Sequence, residues 1–145
     1  MEYREGAIGR VFLVRVDHGE DLLAVVTGVA GEEGIETGLV LLLGALARGR
    51  LVEGPAALDL PPVPIATAFL DGREVLGVGT LVREDGRPAL HLHAATGRRG
   101  VAAVGCLRDE AQVYAVAEVV ILELSLAAVR RRDPSTGLSP IAFPP

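Results

Sequence analysis

Leu90-His91-Leu92-His93-Ala94-Ala95-Thr96-Gly97-Arg98-Arg99-Gly100-Val101-Ala102-Ala103-Val104-Gly105-Cys106 reads as two strands joined by a turn. It holds two of the three histidines and the only cysteine of the chain. On a β-strand, side chains at i and i+2 share a face, about 7 Å apart. His91 and His93 are so placed, with Leu92 pointing the other way. Gly97 to Gly100 suits a hairpin turn with a two- or four-residue loop. Thr96 then faces Val101, and counting back sets His91 opposite Cys106. Directly opposed residues share a face, so the thiol lands beside both imidazoles. A loop of odd length would turn Cys106 to the other side. Zinc takes imidazole nitrogen and thiolate sulfur readily, so His91, His93 and Cys106 form a candidate metal site. The plainer reading is two solvated imidazoles and a cysteine acting as a small core hydrophobe.

Outside this hairpin the composition sets bounds. The chain has 145 residues, enough for one domain with one core. Half of them are hydrophobic and only 3% are aromatic, so the core must be built from Val, Leu, Ile and Ala. The net charge is -5, and every basic residue is Arg. That charge argues against a strong direct grip on nucleic acid, which needs clustered cations on the phosphates. A lone cysteine cannot close an internal disulfide. No apolar run reaches the roughly 18 residues of a membrane span, and no basic-then-apolar leader is visible. A soluble cytoplasmic protein is expected.

In chain order, Gly9 to Val16 reads as a strand and Asp17-His18-Gly19 as a turn, with His18 an exposed turn residue. Glu20 and Asp21 suit a helix N-terminus. Leu22, Leu23, Val25, Val26 and Val29 give that helix an apolar face up to Gly31. Leu39-Val40-Leu41-Leu42-Leu43 is an unbroken apolar run, which fits a strand buried on both faces, with a buried helix as the alternative. Arg48 to Asp59 adds an edge strand, Ile65 to Leu70 another strand, and Asp71-Gly72 a turn. Glu74 to Arg83 is a strand. Its Gly77-x-Gly79 is no phosphate cradle, because no helix follows; the glycines suit close backbone approach or a bulge. Arg108-Asp109-Glu110 reads as a charged break and Gln112 to Leu126 as a long strand. Arg130 to Arg132 reads as a solvated basic cluster. Asp133 to Pro145 is a Pro-rich tail that covers a sheet edge.

Several pieces occur together in a telling order: Gly19-Glu20-Asp21, Gly44-Ala45-Leu46, Glu74-Val75-Leu76 with Gly79-Thr80, Pro88-x-Leu90-His91-Leu92-His93, Gly105-Cys106-Leu107, Ala117-Glu118-Val119-Val120-Ile121 and Asp133-Pro134-x-Thr136-Gly137-Leu138. From Gly9 to Leu138 the chain resembles the plants-and-prokaryotes conserved (PPC) domain. The resemblance implies an α+β fold, mainly an antiparallel sheet with one or two helices, assembling as a homotrimer. It also implies a metal held by three histidines, the third in a Gly-Gly-His-Leu segment. Here Val104-Gly105-Cys106-Leu107 puts a cysteine at that place, which either preserves the site as His2Cys or abolishes it. In plants the domain follows AT-hook motifs. No hook is present: the nearest match, Asp85-Gly86-Arg87-Pro88, begins with an acid and reads as a turn, so a link to DNA would run through partners.

Two functions follow as expectations. The first is a non-enzymatic trimeric module whose metal or small-ligand site serves regulation or assembly, with zinc or another divalent transition metal as cofactor. The second is a metal-dependent enzyme, a hydrolase or lyase, in which the fourth zinc position holds water. Glu118, which interrupts an apolar strand, is then the candidate general base. Its plainer role is a paired carboxylate at a subunit interface.

Overall fold

A computed structural model describes residues 1–144. Strand β1 (Ile8–Asp17) is followed by helix α1 (Leu22–Glu32), then β2 (Thr37–Pro55), β3 (Pro64–Phe69), β4 (Arg73–Glu84), β5 (Arg87–Arg98), β6 (Val101–Leu124) and two short strands, β7 (Val129–Arg130) and β8 (Ile141–Ala142). All pairings are antiparallel except β4 with β7. β2 pairs with both β4 and β6, and β5 pairs with the same two strands. The circuit β2–β4–β5–β6 therefore closes on itself as a small barrel. β1 extends it along the C-terminal half of β6, and β3 along the C-terminal half of β2.

α1 starts where the carboxylates predict. Asp21 is the N-cap, and its side chain accepts from the Ala24 amide at 2.9 Å. Leu22, Val26 and Ala30 recur at the four-residue spacing of one helix face and are buried against β5 and β6. Opposite them lies an aliphatic interior that includes Val40, Leu42, Leu81, Leu92 and Ile121. None of the described helices is long and apolar enough to cross a membrane.

Four sequence expectations need correction. Leu39–Leu43 is a strand, but within the chain it is buried on one face only. Val40 and Leu42 are 1% and 4% exposed, whereas Leu41 and Leu43 are 38% and 51% exposed. There is no separate edge strand over Arg48–Asp59: β2 runs on to Pro55, with register shifts near Leu46 and Arg48 that bend it from β4 toward β3. Arg108-Asp109-Glu110 is no break. The strands on either side are one, β6, and the extra residues are absorbed where Glu110 and Ala115 take positive φ of 61° and 60°. Finally, Arg130 is not solvated like its neighbours; it is half-buried in β7, while Arg131 and Arg132 are exposed. The Pro-rich tail does cover an edge, since β8 pairs with β7, which in turn pairs with the end of β4.

Candidate metal centre

The histidine strand β5 is held between two turns of the same kind. Asp85-Gly86 closes β4 onto β5, and Arg99-Gly100 closes β5 onto β6. Both residues of each turn have positive φ, 50° and 76° in the first, 51° and 79° in the second. This two-residue geometry matches the right-handed twist of the strands. The second turn is tighter than the sequence register supposed, because Gly97 and Arg98 stay in the ladder and Arg98 faces Val101. The partner of Cys106 is accordingly His93, not His91. The slip is of two residues, an even number, so the thiol keeps its face.

Two glycines permit this packing. A Cβ at Gly79 would lie 2.7 Å from the His91 carbonyl oxygen, and one at Gly105 would lie 2.5 Å from the Val52 carbonyl oxygen. Gly79 thus lets β4 press against the backbone that carries His91. Gly105 lets β2 close on β6 one residue before the cysteine. The close-approach reading of Gly77-x-Gly79 holds.

The three predicted ligands converge. One donor atom each from His91, His93 and Cys106 lies within 4.8 Å of the others. The two imidazole Nε2 atoms are 3.2 Å apart. Nitrogens bound tetrahedrally to one zinc would be separated by about 3.3 Å, and nitrogen and sulfur by about 3.6 Å. The imidazoles therefore stand at ligand spacing, and the thiol lies within 4.8 Å of a ring nitrogen of each. His93 is exposed, His91 half-buried and Cys106 buried. Burial pushes the His91 imidazole below its ordinary range, with Arg130, His93 and Arg108 adding to the effect. Its neutral, metal-competent form is thereby favoured. Burial pushes the Cys106 thiol up, against the pull of Arg108 and Arg130.

The other candidates lie elsewhere. His18 is exposed in its turn and accepts from the Ala115 amide through Nδ1 at 3.2 Å. Glu118 is exposed and pairs across strands with Arg15 and Leu43. From Glu118 the sheet leads through Leu43 and Leu76 to Ala95 before β5 is reached, three strand spacings or on the order of 14 Å. Within one chain Glu118 is remote from the imidazoles.

The chain belongs to the Plants and Prokaryotes Conserved domain family, whose model matches residues 3–125. Two solved structures agree with it closely. A metal-containing protein of Archaeoglobus fulgidus is 25% identical, with a TM-score of 0.86 over 98% of this chain and 99% of its own. A plant- and prokaryote-conserved protein of Pyrococcus horikoshii is 26% identical, with a TM-score of 0.85 over 100% and 99%. A protein of Bacteroides thetaiotaomicron, whose description is a provisional DNA-binding assignment, shares the fold at 20% identity and a TM-score of 0.82 over 95% and 97%. No curated protein matches the chain.

The PPC fold explains why the site lies where it does. Opposed residues form rows across the outer face of the barrel. One row runs Leu13–Val120–Leu41–Val78–His93, and the next runs Val11–Leu122–Leu39–Thr80–His91. The rows that lead to the two histidines are apolar apart from Thr80, and Val11, Leu13, Leu41 and Val78 in them are exposed; the first continues from His93 to Cys106 and Val52. Sequence reading missed one set of neighbours. Arg108, Arg130 and Glu84 line a cleft against His91. They come from three different strands, and no local spacing links them.

Proposed function

We propose that this PPC domain is a homotrimeric, non-enzymatic module that binds a divalent transition metal, zinc foremost, through His91, His93 and Cys106, and that the loaded site serves regulation or assembly. The observation that carries the metal reading is the 3.2 Å separation of the two Nε2 atoms with the thiol close by. The description of the archaeal relative as metal-containing supports it. A soft sulfur and two imidazoles favour zinc over hard cations such as magnesium or calcium. When bound, zinc supplies a Lewis-acidic fourth position open to water or a ligand.

Trimerisation is supported by the outer face and by the family resemblance. Monomeric soluble proteins rarely leave a large contiguous apolar patch in water. Here Leu41, Leu43, Leu76 and Val78 stand exposed on adjacent strands. Closed symmetry buries such a patch, and the resemblance selects three copies. Because the exposed apolar rows lead up to the histidines, the metal would sit beside that interface. DNA, where the domain meets it, would be reached through a partner, since the net charge is -5.

One feature favours a second reading, a metal-dependent hydrolase or lyase: Glu84 shares a cleft with His91. It replaces the remote Glu118 as the carboxylate to test. Metal analysis of the purified protein decides the first point, with about one zinc per chain expected from a three-ligand site. Protein that stays metal-free after incubation with zinc, cobalt and nickel would overturn it. Light scattering decides the second, where a mass of one chain at micromolar concentration would rule out the trimer.

A further inference from the structure

A cleft of about 550 Å³ opens beside His91, between the end of β4, the start of β5 and the turn that follows β7. That volume suits a small metabolite rather than a polymer. Its most unusual member is Arg130. Three arginines of the chain are half-buried: Arg73, Arg83 and Arg130. Arg73 contacts Asp71 at 2.8 Å and Arg83 contacts Glu36 at 3.0 Å. Arg130 has no carboxylate within 4.0 Å among the described residues. Its guanidinium is held instead by neutral acceptors, the Thr80 hydroxyl and the Ser139 carbonyl, both at 2.9 Å. A guanidinium carries five N–H donors, and these two bonds leave three.

Arg108 lines the same cleft and likewise has no carboxylate partner among the described residues. The two cations lie close enough that Arg108 opposes the charge on Arg130, and both oppose a charge on His91. Two carboxylates also border the space. Asp133 is spent on its own turn, where it accepts from the Ser135 amide, the Ser135 hydroxyl and the Thr136 hydroxyl. Glu84 remains, one negative group against two positive ones and in salt-bridge contact with neither. Glu84 supports the Arg130 charge from a distance, but no carboxylate contacts the guanidinium. Burying a cation without a contacting counter-charge is costly, so a fixed, partly buried guanidinium with free donors fits a place kept for a ligand's negative charge.

We infer that the cleft is a binding site for a small oxyanion-bearing metabolite, its carboxylate or phosphate held between Arg108 and Arg130 and its body lying along Ala89, Leu90 and Leu138 toward His91. The inference rests on the metal reading only for what the far end of the ligand meets. The anion site itself needs no metal.

Calorimetric titration of metal-free and zinc-loaded protein with inorganic phosphate, and separately with succinate, tests it. At least one anion is expected to bind at one site per chain, and the two arms separate phosphate from carboxylate preference. Arg108→Gln, at an exposed position, is expected to weaken binding on the order of tenfold, as the loss of a charge-assisted hydrogen bond does. Arg130→Lys keeps the charge but loses the forked geometry and is expected to weaken it as well. Arg48→Gln, an exposed arginine outside the cleft, should leave affinity unchanged. Circular dichroism reports whether each variant is folded, and Arg108→Gln keeps the test open if Arg130→Lys is not. Absence of binding by both anions in both metal states overturns the inference, as does equal affinity in wild type and Arg108→Gln. Zinc uptake without anion binding would sink this site and spare the metal centre; anion binding without zinc uptake would do the reverse.

Discussion

The two faces of β2 have nearly the same composition and opposite surroundings. Val40 and Leu42 point into the barrel beside Leu81, Leu92 and Ile121, while Leu41 and Leu43 point outward beside Val78 and Leu76. On the inner face, burial is complete within one chain and serves folding. On the outer face, the row through Leu41 leads to His93 and the neighbouring row through Leu43 to Ala95, so apolar surface there can serve association next to a site. An apolar run thus need not mean that one chain buries both of its sides.

The inner face should break most severely. Leu92→Ala removes a fully buried side chain from the strand that also carries the histidines. It is expected to cost about 2–5 kcal/mol, the range for large-to-small core changes. Urea denaturation followed by circular dichroism measures it. A cost below about 1 kcal/mol would show that the barrel interior is looser than its packing implies.

The outer face should break differently. Leu76→Asp places a charge among the exposed outer-face residues Leu41, Leu43 and Val78 without touching the interior. The expected result is a chain that keeps its far-UV spectrum but scatters light as a single copy. Retention of the assembled mass would place the interface elsewhere. Zinc content of this variant adds a further reading. If it is unchanged, all protein ligands come from one chain.

Much of this contrast was legible in the sequence, and its gaps have physical causes. The helix was readable from Asp21 and the spacing of its apolar residues, and the hairpin from Gly100. The side on which Cys106 falls was readable as well, because any even loop length gives the same answer. Its partner was not, since Gly97 could belong to turn or ladder and only the tighter turn matches the strand twist. The two-sided burial of Leu39–Leu43 was misread because hydrophobicity does not say whether the covering surface belongs to the same chain. Arg108-Asp109-Glu110 looked like a break because charge resembles a loop, yet a bulge at an exposed position accommodates it. The arginine cleft was beyond reach, for it joins Thr80, His91, Arg108, Arg130 and Ser139 only after the barrel closes.

At the metal centre, His93→Ala should weaken zinc binding by about 100-fold or more, since even loss of an outer-shell partner costs 10- to 100-fold. Competition with a chromophoric chelator measures it, and unchanged affinity would remove His93 from the ligand set. Cys106→His restores the residue that the family resemblance implies at this place and should retain the metal. The proton balance sharpens the test. His91 is held neutral by burial and by its cationic neighbours, whereas the Cys106 thiol is pushed up and protonated at neutral pH. Zinc can bind the sulfur only as thiolate, so uptake at pH 7 should release about one proton, and affinity should rise with pH. Calorimetry in two buffers of different ionisation enthalpy counts it. Zero release would mean that the thiol is not a ligand.

The smallest effect lies at the seam between the two faces. Arg10 on β1 grips Glu123 on β6 through two hydrogen bonds, from Nε at 2.7 Å and from Nη2 at 2.9 Å, and Nη2 also donates to the Glu33 carbonyl at the end of α1 at 2.9 Å. One guanidinium thus ties the outer strand pair to the helix that caps the interior. The Arg10 hydrogen bond holds the Glu123 carboxyl below the usual carboxylate range, outweighing the opposing effect of desolvation. A carboxyl with a lowered folded-state pKa stabilises the fold above its unfolded pKa, and loses that contribution as pH falls through the folded value. Both side chains meet solvent, so the contribution is modest and should shrink in high salt. Thermal melts of wild type and Glu123→Gln should therefore differ slightly at pH 7 and converge as the pH drops below the carboxylate range. A gap that persists in acid would mean that Glu123 acts there through its shape and neutral hydrogen bonds, and that the charge on Arg10 is not what joins the two faces.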